Sequence, residues 1–214
     1  MNRLGLAVPK GELFGSTREL LQNAGFDVSL LKEDSRKLFI SLKSQPINYL
    51  IARPMDIPTY VAYGAVDLGI VGKDVLMESK KSVYELLDLG YGKCRFVVAA
   101  PLRTAGRIQE TYEHLGHLRV ATKYLRVAEE YFSQKGVQVE IVKLSGNVEI
   151  APLVNLADQI VDLVSTGRTL KENELVEVEE IAKSSARLIA NHVSYKLKFA
   201  EISNFIEKIK KVLS

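Results

Sequence analysis

Residues 4–25, LGLAVPKGELFGSTRELLQNAG, hold one complete unit of an α/β architecture. Leu4 to Val8 is an apolar run too short for a helix and long enough for a buried strand. Pro9-Lys10-Gly11 makes a loop, and Ser16-Thr17-Arg18-Glu19 has the spacing of a capping box, in which a hydroxyl and a carboxylate satisfy the free N–H groups of a first helical turn. The helix it opens carries Leu20, Leu21 and Ala24 and stops at Gly25, a residue that takes positive φ at little cost. Strand, loop and amphipathic helix in that order, when repeated, predict a largely parallel sheet covered by helices.

The order does repeat. Tyr49 to Ala52 and Leu68 to Val71 read as strands, separated by a helix over Pro54 to Tyr63 whose start carries two prolines. The glycines of Leu89-Gly90-Tyr91-Gly92 then punctuate the chain. A second alternating set follows: Phe96 to Ala100, Leu118 to Ala121, a helix with the stripe Leu125, Ala128 and Phe132, then Val137 to Val142 and Ile160 to Val164. Two closely coupled lobes are expected, with a crossover near residue 91 and no Ser-, Gly- or Pro-rich linker between them. Phe199, Ile202, Phe205 or Ile206, Ile209 and Val212 recur at helical spacing, so the lysines around Lys208-Ile209-Lys210-Lys211 form the wet face of a terminal amphipathic helix.

Composition narrows the class of function. The chain has 214 residues, 47% hydrophobic and 26% charged, which suits one large or two small domains with a substantial core and excludes wholesale disorder. A net charge of +3 is too small a bias to imply nucleic-acid binding. The apolar N-terminal stretch is closed early by Lys10, and no segment approaches the ~18 apolar residues of a membrane span. A cytoplasmic protein without membrane attachment is expected. Cys94 stands alone and is expected to be a small buried hydrophobe. His114 and His117 flank Gly116, which weakens any helix that would align them, and no third ligand accompanies them, so no protein metal centre is expected. There is also no nucleophile elbow.

The segment that carries chemistry is residues 158–170, DQIVDLVSTGRTL. An apolar strand with one carboxylate, Asp162, runs directly into hydroxyls, glycine and arginine. Gly167 allows backbone N–H groups to approach a phosphate closely, Ser165, Thr166 and Thr169 add hydroxyls, and Arg168 adds a charged donor. A helical turn starting near Leu170 would favour the anion further. Asp162 between Val161 and Leu163 would be costly if buried unpaired, a cost that ribose hydroxyls at the strand end would remove. Asp158 lies on the same face but ~13 Å away at ~3.3 Å per residue, too far to share one diol. The same residues also suit an ordinary turn with a helix cap and an aspartate bonded to a backbone amide.

The wider segment from Glu149 to Leu170 resembles the signature of the ATP phosphoribosyltransferases, through Glu149, Ala157, Ile160, Asp162, Thr166, Gly167, Thr169 and Leu170. One position departs: Asn155 stands where the family usually has glycine, and Asn readily takes the left-handed conformation that such a glycine would serve. Ala7-Val8-Pro9-Lys10-Gly11 and the blocks from Arg53 to Val61 and from Tyr63 to Asp74 are similar to the family's opening half, with Glu12 where arginine is common. The resemblance implies an α/β fold of two lobes like those of type II periplasmic binding proteins, with the active site in the interlobe cleft. It places the first lobe at 1–91 plus 179–214 and inserts the second, 92–178, between them.

It further implies the reaction that opens histidine biosynthesis: N1 of ATP joins C1 of the ribose of 5-phosphoribosyl 1-diphosphate and pyrophosphate leaves, with magnesium carried by the substrate rather than by dedicated protein ligands. By the same resemblance the Ser165, Thr166, Gly167, Arg168 and Thr169 loop takes the 5-phosphate and Asp162 the ribose hydroxyls. Glu149 is nearby as a second contact to the hydroxyls or to the magnesium-linked substrate. Lys10 and Arg53, at predicted strand ends, are candidate catalytic cations facing the diphosphate or ATP, or else surface charges after a strand. Gly11, Asp67 and Asp74 are candidate ATP contacts, the two aspartates alternatively helix caps. Ending soon after its terminal helix, the chain looks like the family's short form, which implies a homodimer and a hetero-oligomer with a regulatory subunit resembling a histidyl-tRNA synthetase. A non-catalytic two-lobed solute sensor and a phosphoribosyltransferase for another base are the rival readings.

Overall fold

The computed structural model describes residues 3–42 and 45–213. The chain divides into two compact units, one formed by residues up to Lys93 together with those from Ser185 onward, the other by Cys94–Ser184.

The first unit begins with β1 (Leu4–Pro9), then α1 (Phe14–Asn23), β2 (Phe39–Ser41) and β3 (Ile47–Ala52). A 3-10 turn over Pro54–Asp56 leads into α2 (Ile57–Ala62), followed by β4 (Leu68–Gly72), α3 (Lys73–Ser79) and β5 (Tyr84–Asp88). β1 pairs in parallel with both β3 and β4, as apolar strands buried on both faces do. α2 lies close against β4 because Gly69 lacks a side chain: a Cβ there would stand 2.7 Å from the Ile57 and 2.8 Å from the Val61 methyl carbons. Gly25 ends the region of α1 at φ +80°, the conformation expected of it. The start of α1 differs from expectation. It opens at Phe14, with the Phe14 N–H donating to Gly11 O, and the Ser16–Glu19 box lies inside the helix. Thr17 is fully buried and shares a hydrogen bond with the Tyr91 hydroxyl at 2.7 Å, so this stretch packs as helix interior.

The second unit contains β6 (Cys94–Pro101), α4 (Ile108–Leu115), β7 (Leu118–Thr122), α5 (Leu125–Lys135), β8 (Val139–Lys143), β9 (Gln159–Val164), α6 (Arg168–Glu172) and β10 (Leu175–Ser184). Its five-stranded sheet has the order β10-β6-β9-β7-β8, with β7, β8 and β9 mutually parallel where they pair. Val97, Ala99, Ala121, Ile160 and Val164 form the centre of its core with Val148, Ala151, Leu170 and Leu175. Asn155 has φ +58°, so the left-handed backbone expected at this position is met by asparagine. Cys94 is half-buried, not a core residue, because it opens the strand at the unit's edge.

The chain returns at residues 184 and 185, not near 178, because β10 runs on to Ser184 as the antiparallel partner of β6. From Ala186 it forms β11 (Ala186–Ala190), inserted antiparallel between β4 and β5, which completes the six-stranded order β2-β3-β1-β4-β11-β5. α7 (His192–Leu197) and α8 (Phe199–Leu213) close the chain. α8 buries Ile202, Phe205 and Ile209, while Phe199 stays exposed and makes an edge contact with Tyr195. Asn191 fastens this return. Its side-chain oxygen accepts from the N–H groups of Val193 and Ser194, capping α7, and its amide donates to Val61 O and Ala62 O at the end of α2. Asn191→Ala leaves all four groups without that partner and is expected to cost about 2 kcal/mol, read as a lower urea midpoint at unchanged slope.

Candidate functional site

Parallel strands bring their carboxyl ends to one edge of a sheet, and loops leaving that edge build ligand sites in open α/β folds. In the second unit β9 delivers Ser165–Gly167 to that edge, β8 delivers the segment leading to Asn147 and the 3-10 turn Val148–Ile150, and β7 delivers Lys123. Glu149, Asp162, Ser165, Thr166, Gly167, Arg168 and Thr169 all line one cavity of about 280 Å³, joined by Asn147. The structure thus gathers every residue expected to hold the phosphoribosyl group.

Asp162 lies opposite Val97 in the β9–β6 ladder, and its Oδ1 is shielded from water with no hydrogen-bond partner. Burial pushes its pKa up from the ordinary carboxylate value; a bond from the Leu163 N–H and the positive charge of Lys123 oppose that rise, and the negative charge of Glu149 adds to it. Gly167 turns the loop with φ +76° and gives way to α6. The N–H groups of the first turn of α6 have no helical acceptors, although five residues make too short a helix for its dipole to be the main attraction. Arg168 lines the cavity, and on its 82% exposed side chain Nε also bonds Glu172 at 2.7 Å in an i,i+4 pair on the helix surface. Asp158 belongs to the other end of β9, where it accepts from both the main chain and the guanidinium of Arg119.

Nothing in the sequence around Lys123 marks it as part of this site. Thr122 pairs with Val161 in register, so the residue after β7 stands beside Asp162. Only strand pairing carries that signal.

The first unit gathers cations in the same way. Pro9 pairs with Ala52 at the parallel ends of β1 and β3, so Lys10 and Arg53 follow side by side, and the Lys10 N–H donates to Ala52 O at 2.8 Å. Gly11 follows with φ +82°. Asp74 sits in the first turn of α3, its carboxylate folded over Gly72 so closely that a Cβ on that glycine would meet Oδ1 at 2.0 Å. Asp67 is buried, and its Oδ2 accepts from the Gly5 N–H and from Lys198 Nζ, each at 2.8 Å, so in this fold its carboxylate is engaged structurally rather than capping a helix. Among the described residues, no three His, Cys, Asp or Glu side chains are grouped to hold a metal ion.

Two carboxylates beside a loop of hydroxyls and glycine, at the carboxyl edge of parallel strands, give an α/β protein a site whose chemistry suits a phosphorylated sugar. The comparisons make this specific. The family model for ATP phosphoribosyltransferase matches residues 53–211. The ATP phosphoribosyltransferase of Moorella thermoacetica is 52% identical over 212 residues, covering 98% of this chain and 93% of that one. That of Caldanaerobacter subterraneus subsp. tengcongensis is 47% identical, over 100% of this chain and 99% of its own. Among solved structures, the ATP phosphoribosyl transferase (HisG:HisZ) complex from Thermotoga maritima superposes with a TM-score of 0.84 at 36% identity, covering 98% of each chain. A periplasmic sulfonate-binding protein from Methylobacillus flagellatus shares the fold, with a TM-score of 0.64 at 16% identity over 99% of this chain and 68% of that one. The chain belongs to the ATP phosphoribosyltransferase family, the pentosyltransferases of the first step of histidine biosynthesis.

Proposed function

We propose that the cavity of the second unit is the 5-phosphoribosyl 1-diphosphate site of an enzyme that joins N1 of ATP to C1 of the ribose and releases pyrophosphate. The observation that carries the assignment is Asp162, a lining residue of the cavity that holds the Ser165–Thr169 loop, whose Oδ1 is buried without a hydrogen-bond partner. A native fold rarely leaves a buried carboxylate oxygen unsatisfied, and a ribose hydroxyl is the donor that fits. The ribose hydroxyls are assigned to Asp162 and the 5-phosphate to the hydroxyls and backbone of Ser165 to Thr169, with Glu149 nearby as a second contact to the hydroxyls or to the magnesium-linked substrate.

Displacement at an anomeric carbon develops positive charge on the sugar ring. With no covalent enzyme intermediate, the chain's contribution is to fix the ribose and supply charge where it develops. Lys10 and Arg53 are assigned to the diphosphate or to the phosphates of ATP. Magnesium, when bound, neutralises the diphosphate. Two carboxylates in the cavity are too few for a protein cage, which suits an ion held by substrate oxygens and water.

The likeness to a chain of the Thermotoga HisG:HisZ complex supports assigning this chain to a hetero-oligomer with a regulatory subunit, and we assign it to the cytoplasm with a homodimer of catalytic chains. No described helix is long and apolar enough to cross a membrane.

The test is a product assay with magnesium, ATP and 5-phosphoribosyl 1-diphosphate, scoring pyrophosphate and phosphoribosyl-ATP by chromatography with each substrate omitted in turn. Formation of both products only when both substrates are present is expected; sugar diphosphate binding without product, even with the regulatory subunit, would point to a sensor or another base. Within the loop, Thr166→Ala is expected to raise KM for 5-phosphoribosyl 1-diphosphate about tenfold, the value of one hydrogen bond to a charged group, with the melting temperature unchanged because the side chain is exposed. An unchanged KM would remove the 5-phosphate from this loop.

A further inference from the structure

We infer that Lys123 is a positioning residue for the transfer reaction: the counter-charge of Asp162, it holds that carboxylate ionised to accept the ribose hydroxyls. The inference rests on the assignment of Asp162 to the ribose and adds the group that makes this assignment work near neutral pH.

The placement follows from the register. β7 and β9 are parallel neighbours with Thr122 opposite Val161, so Lys123, the residue after β7, and Asp162, the next residue of β9, follow that pair. The turn that carries Lys123 is built on both sides. Thr122 is fully buried and its Oγ1 accepts from the Tyr124 N–H at 2.9 Å, while its carbonyl accepts from the Leu144 N–H at 3.0 Å. Tyr124 is itself buried, edge-on to Phe96 with centroids 4.8 Å apart, and the Lys123 ammonium lies 4.9 Å from the centre of its ring. A long, exposed lysine is thus given a local seat by an aromatic face. Among the described residues no carboxylate, Asp162 included, lies within ion-pair distance of its ammonium, so its charge is not spent on a direct pair and acts on Asp162 through space.

Other charges on the packed elements are otherwise placed. On β6, Arg95 is held by Glu177 and Glu180. On β7, Arg119 is tied to Asp158 at the far end of the strand. On β8, Lys143 pairs with Thr122 one strand further out and is exposed. Arg168 is paired with Glu172. Glu149, from the 3-10 turn, acts on Asp162 in the opposite sense, and of these groups only it and Lys123 bear on the carboxylate. A buried acid beside another acid needs an opposing cation to remain a hydrogen-bond acceptor for a diol.

The experiment is the pH dependence of kcat/KM for 5-phosphoribosyl 1-diphosphate in wild type, Lys123→Met and Lys123→Arg, with ATP saturating. Methionine keeps the length and removes the charge. Its acid limb is expected to move up by about 0.5–1 pH unit, the effect of one nearby opposite charge partly screened by solvent. The ratio of wild-type to variant kcat/KM should therefore be largest at acid pH and shrink toward alkaline pH, and the substrate's own phosphate titration cancels from that ratio. Arginine should restore the wild-type limb. A limb that does not move, or a loss of the same size at every pH, would overturn the inference, the second because it would mean direct contact with the substrate. Asp162→Asn, run in parallel, separates the two levels: if it keeps full activity the ribose assignment itself fails, whereas its inactivity with an unmoved Lys123→Met limb sinks only the role of Lys123.

Discussion

Asp162→Asn is expected to lower kcat/KM for 5-phosphoribosyl 1-diphosphate by about 100-fold or more while making the free protein more stable. The loss follows from chemistry at one atom. A carboxylate accepting two ribose hydroxyls contributes roughly 1.5 kcal/mol or more for each, and about 3 kcal/mol is a factor of about 100. An asparagine keeps the shape but presents one oxygen and a competing N–H₂ donor. The gain in stability has the opposite origin. In the free protein Oδ1 is buried without a partner, and burial raises the pKa of Asp162 above its ordinary value. An acid whose folded pKa is raised favours folding while it stays protonated, and that contribution is lost as pH rises through the folded pKa. At neutral pH the ionised group is therefore a burden that the neutral amide lacks, worth about 1 kcal/mol or a melting temperature higher by roughly 3 °C. Below the ordinary carboxylate pKa the difference should vanish. Calorimetry across pH with the kinetic assay measures both signs; a variant that is less stable and equally active would mean that Asp162 is a structural residue.

The opposed signs explain why this part of the site was legible in the sequence. A strand that places an aspartate among Ile160, Val161, Leu163 and Val164 works against its own stability, and such a conflict marks a position kept for a ligand. The loop was legible for a simpler reason: Ser165 to Thr169 are contiguous, and Gly167 announces its own positive φ. β1 and β9 were readable as apolar runs buried on both faces. What remained hidden depends on pairing between distant segments. β10 mixes Glu177, Glu179 and Glu180 with apolar residues and breaks its alternation at two register shifts against β6, so no period of two survives to be read. β11 is a five-residue insert whose neighbours, β4 and β5, lie on the other side of the second unit in the chain. Lys123 acquires meaning only from the register of β7 on β9. The pairing of Arg168 with Glu172, one helical turn later, likewise depends on the short helix that follows the loop.

Asp67→Ala is expected to cost about 3 kcal/mol of stability and to leave KM for ATP unchanged wherever the variant is folded. From sequence this aspartate, two residues before Gly69, suits a nucleotide contact or a cap equally well. The fold gives it other work. Its Oδ2 receives the Gly5 N–H from β1 and the Lys198 ammonium, which also donates to Arg3 O at 3.1 Å. Its main-chain carbonyl receives the Asn191 N–H, so one residue ties the start of β1 to the chain segments on both sides of α7. The side chains of Asp67 and Lys198 are only 10% and 22% exposed. Removing the carboxylate leaves a lysine poorly hydrated and an amide without its acceptor, a larger cost than the pair's net worth, because the desolvation already incurred is no longer offset. The remaining access to water keeps the figure near the lower end for a buried pair. A double-mutant cycle in urea with Lys198→Met separates these contributions: the double variant removes both charges and should be more stable than the sum of the single losses predicts. A raised KM for ATP at an unchanged urea midpoint would return Asp67 to the nucleotide site. Strict additivity would mean that the 2.8 Å contact couples the two residues too weakly to matter.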